Sequence, residues 1–278
     1  MPYYKNYFKD FLDEQLTDAR FYQIVYLSIF FIYGVHTLHW DFNLLIVGAI
    51  IVTAITTQIL SCFVFHKSFD AIKSATITAL GLSILLKTQY WQVAVLAAFI
   101  AIISKYLLRI NGKHIFNPAN VGLVLTIYLT KMAWVSPGQW GSSLVLLYFI
   151  FAAGSILLLK VGRMDTGLVF FFTYAFCQFA YSSAYLGWPL DFTIHKLSNG
   201  ALVFYSFFMI TDSSTTPNHP KARVAWSICI ALLAFYFSEF KYMNGAPVKA
   251  LFLISMATPL LDYAFKSIRF SWKHSLKF

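Results

Sequence analysis

The apolar and polar positions of the chain alternate on the scale of a lipid bilayer, giving ten apolar runs of about 17 to 25 residues between polar or turn-forming breaks. They fall at 22–38, 44–65, 71–87, 90–108, 116–134, 143–161, 167–187, 194–211, 222–238 and 246–264. The third and eighth are short and open on small or polar residues, KSATITALG and KLSNGALVF. Hydrocarbon offers no hydrogen bond to a bare backbone, so each run is expected to be helical. The pattern predicts an all-α integral membrane protein with about ten transmembrane helices.

Composition agrees. Of 278 residues, 59% are hydrophobic and 12% charged, and mean hydropathy is +0.67. A soluble domain carries about twice that share of charge. The opening MPYYKNYFKDFLDEQLTDARFYQ is polar, acidic and basic, without the short apolar core of a cleavable leader. It is expected to persist as a cytoplasmic segment over 1–21, ahead of one transmembrane domain over 22–265 and a basic tail over 266–278.

Charge sets the orientation, because loops on the cytoplasmic side retain Lys and Arg. With the amino terminus inside, 16 of the 21 Lys and Arg fall on the inner side. Both termini are then cytoplasmic, and the net charge of +10 reads as topology. Nucleic-acid binding is not expected, because no folded basic domain is left over.

Five spans per half give the halves, about 22–134 and 143–264, opposite orientations, as in proteins built from inverted repeats. Ser74 and Ser198 open the short third and eighth spans, and Asn-Gly precedes both the fifth (Asn111, Gly112) and the tenth (Asn244, Gly245). Short, polar-opened spans at matching places point to a site between the repeats.

The stretch NGKHIFNPANVG, 111–122, puts polar residues where the fifth span begins. Pro118 gives up an amide that a first helical turn leaves unpaired anyway, and Asn117 can accept from the next free amides. Asn120 lies inside the span, where an unpaired amide is costly. It shares a face with Asn117, and Gly122 allows close approach. These residues can hold a planar polar ring or join two helices, and the pattern alone leaves both open. Thr211 and Asp212 close the eighth span, where Asp212 can cap the next turn, pair with Lys221 or Arg223, or accept a proton or cation. Thr258, Pro259 and Asp262 end the last span, with Thr258 placed to satisfy a carbonyl freed by Pro259.

GKHIFNPANVG, SFFMITDSSTTPNHPKAR, GAPVKALFLISMATPLLD and the Ser74, Ala75, Thr78, Leu80 pattern of the third span occur in collinear order. Together they resemble the D subunit of the Rnf electron-transport complex and the B subunit of the sodium-translocating NADH:quinone reductase. The resemblance covers most of the chain from about residue 70 onward. It implies a ten-helix inner-membrane (plasma-membrane) subunit that binds riboflavin or FMN and works beside redox-partner subunits. Carried onto this sequence, it implies a flavin site from Lys113, Asn117, Asn120, Gly122, Ser74, Thr78, Asn199, Phe208, Thr211 and Asp212. An ion or proton path would use Asp212, Thr258 and Asp262. Several relatives carry FMN covalently on the Thr of a Ser-Gly-Ala-Thr loop. The corresponding TKMAWVSPGQWGSS has Thr130 alone, so noncovalent flavin is expected. DAIKSAT, 70–76, sets an Asp six residues before a Thr, but Lys73 and Ser74 replace the motif's Ser and Gly; it reads as a helix start capped with help from Ser74.

Phe207 and Phe208 are candidates for flavin stacking, core packing being their commoner role. Trp40, Trp91, Trp134, Trp140 and Trp188 fall near outer ends, as an interfacial belt does. Cys62, Cys177 and Cys229 stand alone, so no zinc or iron-sulfur site is expected. His36 and His39 are too few for a metal site on their own. A flavin-dependent electron-transfer subunit, possible ion coupling included, is the leading reading; a channel or carrier for a small polar solute is the alternative, and a scaffold that only assembles partners is a third.

Overall fold

The computed structural model describes residues 18–136 and 144–270, with side chains described from 148 onward in the second stretch. Most of segment 1–21, loop residues 137–143 with Trp140, and the tail beyond 270 lie outside the described residues.

The helices follow the apolar runs. They are α1 (Ala19–His36), α2 (Leu44–Val64), α3 (Ala71–Leu85), α4 (Trp91–Leu107), α5 (Pro118–Thr130), α6 (Leu144–Val161), α7 (Met164–Gln178), α8 (Leu190–Leu197), α9 (Gly200–Phe204), α10 (Pro220–Glu239), α11 (Ala246–Ser255) and α12 (Thr258–Ala264). Among the described residues, α2 and α10 are long and apolar enough to cross a membrane by length and composition. On α2, Val52, Leu60, Phe63 and Val64 are more than 60% exposed. The polar side chains Thr57, Gln58 and Ser61 of the same helix are buried. That inversion suits an apolar solvent.

The chain departs from uninterrupted spans at five places. α3 stops at Leu85, and Leu86–Thr88 pairs antiparallel with Ala133–Val135, Leu86 opposite Val135. α5 stops at Thr130 because Lys131 turns left-handed (φ 56°). α7 and α9 run on into π-helical turns at Phe179–Tyr185 and Tyr205–Met209. The last span is two helices, because Pro259 sits in the first turn of α12 and cannot donate back across Met256 and Ala257.

Where α4 meets its neighbours the core is built from small residues. On α4, Ala94, Ala97, Ala98 and Ala101 are fully buried, so helices approach closely. A Cβ on Gly122 of α5 would stand 2.5 Å from the Ala97 carbonyl oxygen and 2.7 Å from Ala101 Cβ. Gly122 is therefore a packing residue of the α4–α5 pair. Trp40 is 8% exposed and meets Phe30 edge-on with centroids 5.5 Å apart, so it is a core residue, whereas Trp91, Trp134 and Trp188 are exposed.

A slot with one polar end

One face of α3, carrying Ala71, Ser74, Thr78, Gly81 and Leu85, lines a cavity of about 230 Å³. At 1.5 Å per residue these positions span roughly 21 Å, so the cavity is a slot along the helix. Its end at the start of α3 is polar, with Arg20, Lys105, Arg109, His114, Asn117 and Asp212. Beyond Thr78 the α3 face is apolar, with Gly81 and Leu85, and Leu27, Leu157 and Phe204 add apolar lining. Clefts for small molecules run from about 300 to 1,000 Å³. The slot lies just below that range, so a single ring system is the right order of size and a dinucleotide is too large.

Local sequence explains how the polar groups are placed. Asn117 caps α5: its Oδ1 accepts from the Asn120 N–H at 3.2 Å while its Nδ2 donates to the Met209 carbonyl at 3.1 Å, tying α5 to the π turn. Asp212 caps the turn after that segment, accepting from the Ser214 N–H at 3.1 Å. Neither Lys221 nor Arg223 pairs with it; Arg223 reaches Asp165 at 2.7 Å instead. Ser74 stands inside α3, where it accepts from Lys105 Nζ at 3.2 Å rather than capping the helix. Asp70 of DAIKSAT joins Asp18 in clamping Arg20, at 2.6 and 2.8 Å.

Three buried polar atoms of slot-lining residues have no hydrogen-bond partner: Gln58 Oε1, His114 Nδ1 and Ser213 Oγ. Buried polar groups are nearly always paired, and leaving one unpaired costs about 1–3 kcal/mol. Electrostatics separate two of the groups further. Burial, with the nearby cations Arg109, Lys105 and Arg269, brings the His114 pKa down to about 3, so its imidazole is neutral. Burial raises the Asp212 carboxyl above the usual carboxylate range, against the Ser214 N–H and the charges of Lys105 and Lys113.

The slot brings together Ser74, Thr78, Asn117, Phe208, Thr211 and Asp212. Thr78 and Thr211 return their hydroxyl protons to backbone carbonyls, of Ser74 at 2.8 Å and Phe207 at 2.7 Å, leaving oxygen lone pairs free. Phe208 stacks on Phe204, centroids 5.3 Å apart. Phe207 is fully buried against Phe151 of α6 and does not line the slot.

Other expected site residues sit elsewhere. Asn120 is buried and donates from Nδ2 to the Val248 carbonyl of α11 at 2.8 Å, while its Oδ1 is unpartnered. Asn199 caps α9, accepting from the Ala201 N–H at 2.9 Å. Lys113 and Asp262 pair at 2.6 Å beside a second pocket, which Thr258 also lines. The Thr258 hydroxyl is buried without a partner, so it does not satisfy a carbonyl freed by Pro259. Among the described residues no group of three or more His, Cys, Asp or Glu is placed to hold a metal.

Gln58, Lys105, His114 and Ser213 are slot residues that pattern reading passes over. Lys105 carried a signal, since a lysine inside an apolar run marks a functional position in a membrane. Gln58 carried a weaker one of the same kind.

Residues 127–271 match the model of the NQR2, RnfD, RnfE family, just over half of the chain. The match takes in Asn199, Phe208, Thr211, Asp212, Thr258 and Asp262 and starts after Asn117 and Asn120. The chain is also 29% identical over 164 residues to the D subunit of the ion-translocating oxidoreductase complex of Cronobacter sakazakii (strain ATCC BAA-894). That similarity covers 55% of this chain and 42% of the relative, so the chain spans less than half the length of the relative it matches.

Proposed function

Because this chain belongs to the NQR2, RnfD, RnfE family, we propose that it is a membrane-embedded, flavin-binding electron-transfer subunit of an ion-translocating redox complex. The observation that carries the reading is the set of unpartnered buried atoms, Gln58 Oε1, His114 Nδ1 and Ser213 Oγ, around a slot with one polar and one apolar end. Riboflavin and FMN combine a polar carbonyl and imide edge with an apolar ring body, and the lining fits that division. Gln58 Oε1 accepts, Lys105 Nζ and Asn117 Nδ2 donate, and Phe208 offers a ring face. A bound flavin supplies the redox chemistry. The chain binds it, orients it and shields it from water. The Ser-Gly-Ala-Thr attachment motif is missing, so the flavin is held noncovalently.

The membrane reading rests on the ten apolar runs, the exposed apolar faces and the bias of Lys and Arg that puts both termini in the cytoplasm. Two inverted five-helix halves are the arrangement proposed, with the interrupted segments α9 and α11–α12 in the second half. Electrons pass to and from partner subunits; the relative's printed name, a subunit of an ion-translocating oxidoreductase complex, supports this. For ion coupling, Asp212 is the carboxylic acid among the residues that line the slot. Asp262 serves only if it leaves Lys113, and Thr258 stands near that pair.

A channel or carrier for a small polar solute is the competing reading. It needs a polar route past the apolar lining residues Leu27, Leu85, Leu157 and Phe204. Two measurements on purified protein separate the readings: the visible absorbance of flavin, and solute uptake into liposomes holding this chain alone. Flavin colour without uptake supports electron transfer, and uptake by colourless protein supports the channel.

A further inference from the structure

A second pocket, about 260 Å³, lies between the turn at 109–114 and α12. Its wall holds Lys113, Asp262, Lys266 and Arg269. The carboxylate in this wall is already satisfied: Asp262 Oδ2 accepts from Lys113 at 2.6 Å and Oδ1 from the Asn218 N–H at 2.8 Å. Arg269 donates to backbone carbonyls, of Gly112 at 2.8 Å and Asn111 at 3.3 Å. Among the described residues neither Lys266 nor Arg269 has a carboxylate partner, and the Thr258 hydroxyl in the wall is 1% exposed and unpartnered. The pocket therefore carries net positive charge and a spare hydroxyl, its carboxylate being already paired. Exposed apolar side chains stand beside it, with Leu260 71%, Tyr263 82% and Ile268 93% exposed.

We propose that this pocket binds the phosphate of an anionic phospholipid headgroup, with the acyl chains lying along the apolar side of α12. Phosphate is the shared chemistry that Lys266, Arg269 and Thr258 recognise, and the apolar rim selects a lipid over a soluble phosphate. Basic pockets at the cytoplasmic ends of membrane helices take such headgroups. The inference rests on the membrane placement proposed above and is independent of flavin in the slot.

The test is native mass spectrometry of the full chain supplied with equal amounts of phosphatidylglycerol and phosphatidylcholine. Wild type is expected to retain phosphatidylglycerol preferentially. Each of Lys266→Ala and Arg269→Ala lowers that preference by about fivefold, as expected for one cation at an anionic surface. Lys67→Ala, outside the pocket, leaves it unchanged, and flavin absorbance is the same in all four proteins. Equal retention of the two lipids by wild type overturns the proposal, as does an unaltered preference in the K266A/R269A double variant. A second arm adds inorganic phosphate against chloride at matched ionic strength. Displacement of phosphatidylglycerol is expected; thermal stabilisation by phosphate without any lipid preference assigns the pocket to soluble phosphates and refutes the lipid.

Discussion

Lys105 of α4 donates from Nζ to Ser74 Oγ of α3 at 3.2 Å, at the polar end of the slot. Lys105 is 5% exposed. Among the described residues no carboxylate forms an ion pair with it, so its amino group is left facing the cavity and Ser74. Removing it tests the slot directly. Lys105→Met keeps most of the aliphatic side chain and deletes the amino group. Flavin content should fall about 10- to 100-fold, the value of one charged hydrogen bond, while the melting temperature holds. Flavin-to-protein absorbance ratio and a thermal melt check both halves.

Asn117 and Asn120 should separate. Asn117 lines the slot, and Asn120 fastens α5 to the Val248 carbonyl. Asn117→Ala is expected to lose bound flavin with modest loss of stability. Asn120→Ala should cost about 1–3 kcal/mol of stability, by leaving that buried carbonyl without its donor, and retain flavin in the protein that stays folded. Parallel melts and flavin spectra decide it.

The Lys113–Asp262 pair is largely buried, with the two side chains 11% and 18% exposed. Breaking it by Lys113→Met should destabilise by about 3 kcal/mol, the low end for a buried pair because of that exposure. Replacing both, K113M/D262L, should recover part of the loss. A double-mutant cycle in denaturant gives the coupling, and additivity of the two single effects would show that the pair is not coupled.

His114 sets a pH dependence. Its folded pKa of about 3 lies below the ordinary 6.5. Between those values the unfolded chain binds a proton that the folded chain does not, so stability falls as pH drops through that window. His114→Gln should flatten this part of the stability profile and leave stability at pH 8 nearly unchanged. Melts between pH 4 and 8, values spanning the ordinary titration of histidine, read the difference.

Much of the fold was legible because its causes are local. Apolar run length set the helices, and the Asn117-Pro118 cap is visible in adjacent letters. Interruptions were less so: a left-handed Lys131 and the π turns at Phe179–Tyr185 and Tyr205–Met209 come from packing. The site was legible where one helix face decides it, as for Ser74 and Thr78. Lys113 and Asp262 lie 149 residues apart, and no pattern shows that they meet. Asn199 resembles a site residue by type and serves as a cap, a difference set by its place at the start of α9. Gln58 depends on how α2 is turned toward α4, which its near-uniform apolar surface does not declare.

The slot between α3, α4 and the Tyr205–Met209 turn is proposed to hold a noncovalent flavin. The most direct measurement is the visible absorbance spectrum of wild type purified in mild detergent, followed by acid precipitation and analysis of the supernatant. Expected are a flavin spectrum in the native protein, release of riboflavin or FMN into the supernatant, and loss of both in Lys105→Met and Asn117→Ala. A colourless wild type that also fails to take up added flavin, or a flavin that stays with the precipitated chain, would contradict that proposal.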